Sequence, residues 1–171
     1  MMVGGTLSYY SINYSNSETR NTISTFTPGF GYFVKDNFAV GLNLSMGRNS
    51  STSAVSQLEM NFFGFGPFVR YYRFTSNPEF AFYVQGGFSL LSQKTEYAPD
   101  MYQRGRSFSF QIYPGFSYFF TKHWAADLSI RGILISSDNP DNENGSDYTV
   151  VDFGIGTFSP SLGLRYYFGN N

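Results

Sequence analysis

The feature that most restricts this chain is a period-two alternation of large apolar residues with small or polar ones, repeated in segment after segment. Phe38, Val40, Leu42, Leu44 and Met46 alternate with Ala39, Gly41, Asn43 and Ser45. Phe80, Phe82, Val84 and Phe88 alternate in the same way with Ala81, Tyr83, Gln85 and Ser89. A period of two is the mark of a strand with two unlike faces. A soluble strand would bury its apolar face, but 171 residues of which 20% are aromatic and only 13% charged carry more aromatic surface than one small core holds. The apolar face is therefore expected to point outward into lipid, and the small and polar face into an interior.

The alternation is organised by an internal repeat. Phe26, Pro28, Phe30 and Tyr32, then Phe65, Pro67, Val69 and Tyr71, then Ile112, Pro114, Phe116 and Tyr118, then Phe158, Pro160, Leu162 and Leu164 are versions of one motif recurring about every 40 to 47 residues. The first three run into short polar turns at residues 35–37, 75–78 and 121–123, and each turn is followed by another alternating segment, at 38–46, 80–91 and 124–135. The unit is a repeated hairpin. With a first strand at 6–14 it predicts an all-β fold, an eight-stranded antiparallel up-and-down transmembrane β-barrel, as one domain over residues 1–171. The outward face of that first strand is open between Leu7 with Tyr9 and Tyr10 with Ile12 and Tyr14. The remaining connections, at 15–21, 47–57, 93–106 and 137–147, are longer and polar, so short turns gather at one end and long loops at the other.

Two places break the apolar phase, Phe62 with Phe63 and Thr157 with Phe158, and predict bulges or a strand leaving the membrane. Proline cannot donate to a ladder, yet the alternation runs unbroken through Pro28 and Pro114, so these are expected to face lipid at local ladder defects.

Composition excludes several functions. A formal net charge of −1 argues against nucleic acid, which demands a basic stripe. The absence of cysteine removes disulfides, thiolate chemistry and zinc–cysteine sites. No run of 18 apolar residues exists, which excludes a membrane-spanning helix. The mean hydropathy of −0.23 does not argue against strands, because alternation cancels in any window average. The start of the chain has no charged and apolar leader, so a mature form with an added Met is expected, its signal peptide absent.

By parity Arg70, Asp127, Arg131 and Arg165 point inward. Eight strands leave room only for side chains, and an unpaired buried charge costs several kcal/mol, so a polar plug centred on Asp127 is expected in preference to a proton or ion path. Inward Tyr83, Tyr113, Phe119 and Tyr167 would complete a filled, non-conducting lumen. Outward aromatics near the short turns, Tyr32, Phe38, Tyr71, Phe80, Tyr118 and Trp124 with Tyr166 and Phe168, would form a girdle at the membrane interface. The only histidine, His123, falls in a short turn, where no partner base or nucleophile is expected. The acidic stretch at 138–147 lacks the EF-hand spacing and reads as a solvated loop rather than a calcium site. No catalytic residue, cofactor or metal ligand is expected. The candidate contacts for a surface ligand are Tyr97, Met101, Tyr102, Arg104 and Arg106 in the loop at 93–106.

The final alternating segment holds Ser161, then Gly163, then Tyr166 and Phe168, and resembles the C-terminal assembly signal of Gram-negative outer-membrane barrels, although Gly169, Asn170 and Asn171 follow the Phe. With the hairpin count, loop asymmetry and girdle, the whole chain resembles the small eight-stranded barrels of the OmpA/OmpX type. That resemblance implies a monomer in the bacterial outer membrane, surrounded by lipid and lipopolysaccharide and inserted by the barrel-assembly machinery, with loops that contact an extracellular protein or surface ligand or a barrel that serves membrane stability. Two other readings are a lipid A deacylase or acyltransferase, whose families use His with Ser and an acid near the outer leaflet, and a soluble lipocalin-like carrier with its apolar face inward.

Overall fold

A computed structural model describes residues 1–13, 20–53, 57–98, 101–130, 132–140, 148–153 and 160–169. Ten antiparallel strands and no helix are present among them: β1 (Met2–Asn13), β2 (Arg20–Lys35), β3 (Phe38–Thr52), β4 (Gln57–Phe74), β5 (Phe80–Ala98), β6 (Met101–Phe119), β7 (Trp124–Ser129), β8 (Ile133–Pro140), β9 (Tyr148–Phe153) and β10 (Ser161–Tyr167). Neighbours in sequence pair in turn from β1 to β6. The wall closes through β7 and β10 back to β1, with Met2 opposite Tyr167 and Leu7 opposite Leu162. The two chain ends meet there, Phe168 N–H donating to Met1 O at 2.8 Å.

The strand count differs from the expected eight for a local reason. β7 and β8 both pair with β6, and β9 and β10 pair with β8 and β7 respectively. Gly115 faces Ser129, but Ile112 faces Ile133, so the ascending wall holds one extra residue over this interval. Ile130 and Ile133 are both outward and exposed, a phase shift that the reading of 124–135 as one strand did not contain. Pro114 lies in the interval without an N–H to offer, its carbonyl accepting from Ile130 N–H at 3.2 Å. Pairing also lapses at Pro28 toward β3 and at Pro67 toward β5, as expected of ladder defects.

At Phe62 and Phe63 the expected break is absent. The β3–β4 ladder is continuous from Phe38 opposite Tyr71 to Thr52 opposite Gln57. Phe63 faces out, while Phe62 lies inside over Gly47, where a Cβ would meet its ring. Both faces are apolar there because the glycine leaves a hole that the ring fills. The second expected break, at Thr157 and Phe158, lies outside the described residues. The parity of β1 is resolved by its pairing with β2: Leu7 and Tyr9 are outward, at 63% and 64% exposure, and Tyr10 turns toward the lumen.

The short turns are built by their own polar groups. Asn37 takes the left-handed conformation, φ 64°, between β2 and β3. Thr75 Oγ1 donates to Asn77 O at 2.8 Å, and Thr121 Oγ1 accepts from Trp124 N–H at 2.9 Å. At the other end the expectation of long loops is corrected. Residues 93–106 are mostly strand, because β5 runs to Ala98 and β6 starts at Met101; β3 and β4 likewise reach Thr52 and Gln57. β5 and β6, 19 residues each, are about twice as long as the roughly 9 to 11 residues needed to cross a bilayer. Their polar composition is that of a wall continuing into water.

Candidate functional site

The outward face of β5 and β6 measures the membrane. From the pair Phe80 and Tyr118, through Phe82 and Phe116, Val84 and Pro114, and Phe88 and Phe110, to Leu90 and Phe108, it is apolar throughout. At about 3.3 Å per residue and a tilt of about 40°, Phe80 to Leu90 spans about 25 Å, the height of the apolar band of outer-membrane barrels. Below it sits the girdle. Tyr32, Tyr71, Tyr118, Trp124 and Phe168 are exposed, and Phe38, Phe80 and Tyr166 are half-buried among their neighbours. Phe80 packs on Tyr118 at 4.9 Å between ring centres, and Tyr166 meets Trp124 edge-on at 5.0 Å and Phe168 at 4.7 Å.

Inside, the charges converge. Asp127 on β7 accepts from Arg165 Nε on β10 at 2.5 Å and from Arg70 Nη1 on β4 at 2.6 Å, both at Oδ2, and from Ser117 Oγ on β6 at 2.6 Å at Oδ1. β4 is not a neighbour of β7, so Arg70 crosses the lumen. Its Nε donates to Gln85 Oε1 at 2.7 Å, and its guanidinium lies 4.0 Å from the centre of the Tyr83 ring. Arg70, Asp127 and Arg165 are 1%, 3% and 4% exposed. Two guanidinium groups thus share one carboxylate, and the electron-rich face of Tyr83 supplies part of the remaining compensation. Arg165 Nη1 has no hydrogen-bond partner among the described residues. Arg131, the fourth expected member, lies outside the described residues.

Aromatic side chains continue the plug toward the short turns. Tyr72 Oη accepts from Arg70 Nη1 at 3.2 Å and shares a hydrogen bond of 2.9 Å with Tyr167 Oη. Phe33, Phe119 and Tyr167 pack against it, and Met2 is fully buried beneath. Close approach is allowed by glycine: a Cβ at Gly115 would lie 2.1 Å from Tyr83 Cζ, and one at Gly41 2.6 Å from the Phe68 ring. Ser117 and the stacking of Tyr83 under Arg70 were missed from sequence. Parity places Ser117 inward, but nothing in the pattern says which inward groups meet across a lumen. Asp152 on β9 is a further acid on the lumen side of its strand, opposite Leu134.

Beyond the plug the interior opens. A cavity of about 520 Å³ is lined by Thr6, Thr25, Thr27, Asn43, Ser89 and Ser109, among others. The single histidine of the sequence lies at the opposite end, His123 Nδ1 being 3.0 Å from Tyr167 O in the short turn after β6. Of the expected loop contacts, Tyr102, Arg104 and Arg106 are exposed on the outer wall of β6 rather than at a tip. Tyr97 lies on β5 and Met101 on β6, with side chains outside the described residues. Of the assembly-signal positions, Ser161 and Gly163 are inward, Gly163 opposite both Thr6 and Asp127, and Tyr166 and Phe168 are outward in the girdle. Most of the acidic stretch at 138–147 is outside the described residues.

Apolar outside and charged inside is the inverse of a soluble carrier, which removes the lipocalin-like reading. Comparison with known proteins agrees. The sequence matches the family described as outer membrane protein beta-barrel domain over residues 1–169. Among solved structures it is similar to Neisserial surface protein A, NspA, at 13% identity and a TM-score of 0.53, covering 98% of this chain and 96% of that one. It is also similar to the β domain of the Bordetella autotransporter BrkA, at 12% identity and a TM-score of 0.51, covering 98% of each. At such identities the likeness speaks for the fold alone. No curated protein matches the sequence. An apolar band of bilayer height, a girdle at its foot, charges turned inward and a family match over nearly the whole length lead to one assignment: the chain belongs to the outer membrane protein beta-barrel domain family and resides in the bacterial outer membrane.

Proposed function

We propose that this protein is a filled, non-conducting monomeric barrel with a structural or surface-binding role, its contacts made by the parts that rise above the membrane and not by chemistry. The observation that carries the reading is Arg70 reaching across the lumen to Asp127, which places a paired charge layer between the outer cavity and the mouth at the short turns. Strands of 19 residues hold the surface-exposed end on a β-structured wall, a rigid support for recognition of an extracellular protein or surface ligand. Insertion by the barrel-assembly machinery would read β10 and the residue after it, Ser161, Gly163 and Tyr166 on the strand and Phe168 just past its end carrying the signal. A lipid-modifying enzyme is the second reading. His123, at the short-turn end and hydrogen-bonded to a backbone carbonyl, gives it no support near the outer leaflet.

The test is recording from planar bilayers. The expected result is no stable conductance step from the native chain, and opening in Arg70→Ala or Asp127→Ala variants; reproducible channels in the native chain would overturn the filled lumen. Incubation with lipid A is expected to leave its mass unchanged.

A further inference from the structure

The outer wall above the apolar band carries a cluster that neither the lumen nor the tips account for. Lys94 on β5 is directly opposite Arg104 on β6, both outward, and Arg106 stands two residues nearer the membrane, opposite Ser92. On the same row, Lys94 faces Asn61 on β4, and Asn61 faces Arg48 on β3. Like charges directly opposed on one face of a ladder are destabilising. Here they are only partly offset. Arg48 pairs with Glu59, and Lys94 Nζ donates to Glu96 Oε1 at 2.8 Å. Arg104 and Arg106 have no carboxylate partner among the described residues, and Tyr102 lies 5.0 Å from Lys94 Nζ and 5.7 Å from the Arg104 guanidinium.

The height of the cluster decides its ligand. Leu90 and Phe108 end the apolar band, and two residues further along a tilted strand rise about 5 Å, four about 10 Å. Arg106 therefore stands about 5 Å past the hydrocarbon edge, within a headgroup layer roughly 5 to 8 Å deep, and Lys94 with Arg104 stand about 10 Å past it, at the outer margin of that layer. A soluble protein partner would have to approach through lipid headgroups to reach a wall that faces sideways. The ligand whose charge lies at this depth is the phosphate of an outer-leaflet glycolipid.

We propose that Arg104 and Arg106, with Lys94 and Tyr102, form a binding site on the outer wall of β5 and β6 for the phosphate groups of lipid A. Arg104 and Arg106, two residues apart on one strand face, present guanidinium forks suited to phosphate. Lys94 adds a point charge from the next strand. Tyr102 caps the site on the side of the tips, and Phe108 and Leu90 below receive the acyl chains. A bound phosphate relieves the repulsion between Lys94 and Arg104. The inference rests on the outer-membrane placement and is independent of what the tips bind.

The experiment refolds the full chain in detergent with bisphosphorylated hexa-acyl lipid A, the same lipid stripped of phosphate, or phosphatidylethanolamine, and counts retained lipid by native mass spectrometry. Bisphosphorylated lipid A is expected to be retained over both others. The double variant Arg104→Gln with Arg106→Gln is expected to lower retention by about tenfold or more, since each cation near an anionic lipid surface strengthens association about fivefold. Folding of each variant is checked by the gel mobility of unheated samples. Arg73→Gln, an exposed residue near the short turns, is expected to retain lipid A as the native chain does. Equal retention of the phosphate-free lipid, native retention in the folded double variant, or an equal loss in Arg73→Gln would each overturn the site.

Discussion

The half of the barrel near the short turns and the half near the surface share one wall and differ in what fills it. Around Asp127 the lumen holds Arg70, Arg165, Ser117, Gln85, Tyr83 and Tyr72, nearly all buried and joined by hydrogen bonds. Around Ser89 and Thr25 the same width encloses serines and threonines and a cavity of about 520 Å³. The contrast teaches that lipid sets the outward face of both halves alike, whereas the interior is free to vary, packed around the ion pairs and open on either side of them.

The comparison can be broken most severely at its centre. Asp127→Ala strands two buried guanidinium groups and is expected to cost about 3 to 5 kcal/mol, the typical penalty for removing one partner of a buried ion pair. Urea unfolding in detergent or lipid measures it, and a midpoint equal to that of the native chain would mean the plug is wet. Gly115→Ala comes next. Its methyl would sit 2.1 Å from Tyr83 Cζ, so the ring must shift from its place between Gly115 and Arg70, at an expected cost of about 1 to 3 kcal/mol for overpacking. In the outer half Ser89→Ala removes a hydroxyl from a roomy cavity and is expected to change stability by no more than about 0.5 kcal/mol. Ranking Ser89→Ala above Gly115→Ala would erase the distinction between the halves.

The smallest effect belongs to the outer wall. Lys94 holds the Glu96 carboxyl below its ordinary range, by a hydrogen bond and by its charge. A depressed carboxylate adds stability above its unfolded pKa and loses it as the pH falls through the lowered, folded value. Glu96 is exposed, so the readout is its titration by NMR rather than a change in unfolding. Lys94→Gln is expected to return the carboxyl to the ordinary range, and an unchanged titration would show that the pair does not persist in solution.

Much of this molecule was legible from parity. The outward rows through Leu42, Phe82 and Leu164, the inward Arg70, Asp127 and Arg165, the turn positions, and the girdle from Tyr32 to Trp124 around the wall all follow from period two, because lipid and lumen impose opposite demands on alternate residues. Parity misled at Phe62 and Phe63, where a ring fills the space over Gly47 and makes both faces apolar. At Ile130 and Ile133 the outward row steps by three instead of two, with Gly132 between them, and that odd spacing is the local mark of the one inserted residue opposite Pro114. The polar residues at 93–106 read as a loop because polarity marks contact with water, and a strand standing above the bilayer meets water on its outer face too.

By itself, then, the sequence determined which way alternate side chains face on every strand read with one parity, β1 excepted, and hence that the chain is a membrane barrel, because that choice is made one residue at a time by the medium on either side of the wall. Only the tertiary structure decided that Arg70 meets Asp127 across the lumen, that Tyr83 lies under Arg70 and over Gly115, and that Lys94 stands opposite Arg104 on the outer wall. These contacts depend on the register between strands and on the curvature that closes them. Register and closure are settled by the sum of many pairings around the barrel, which no single stretch of residues encodes.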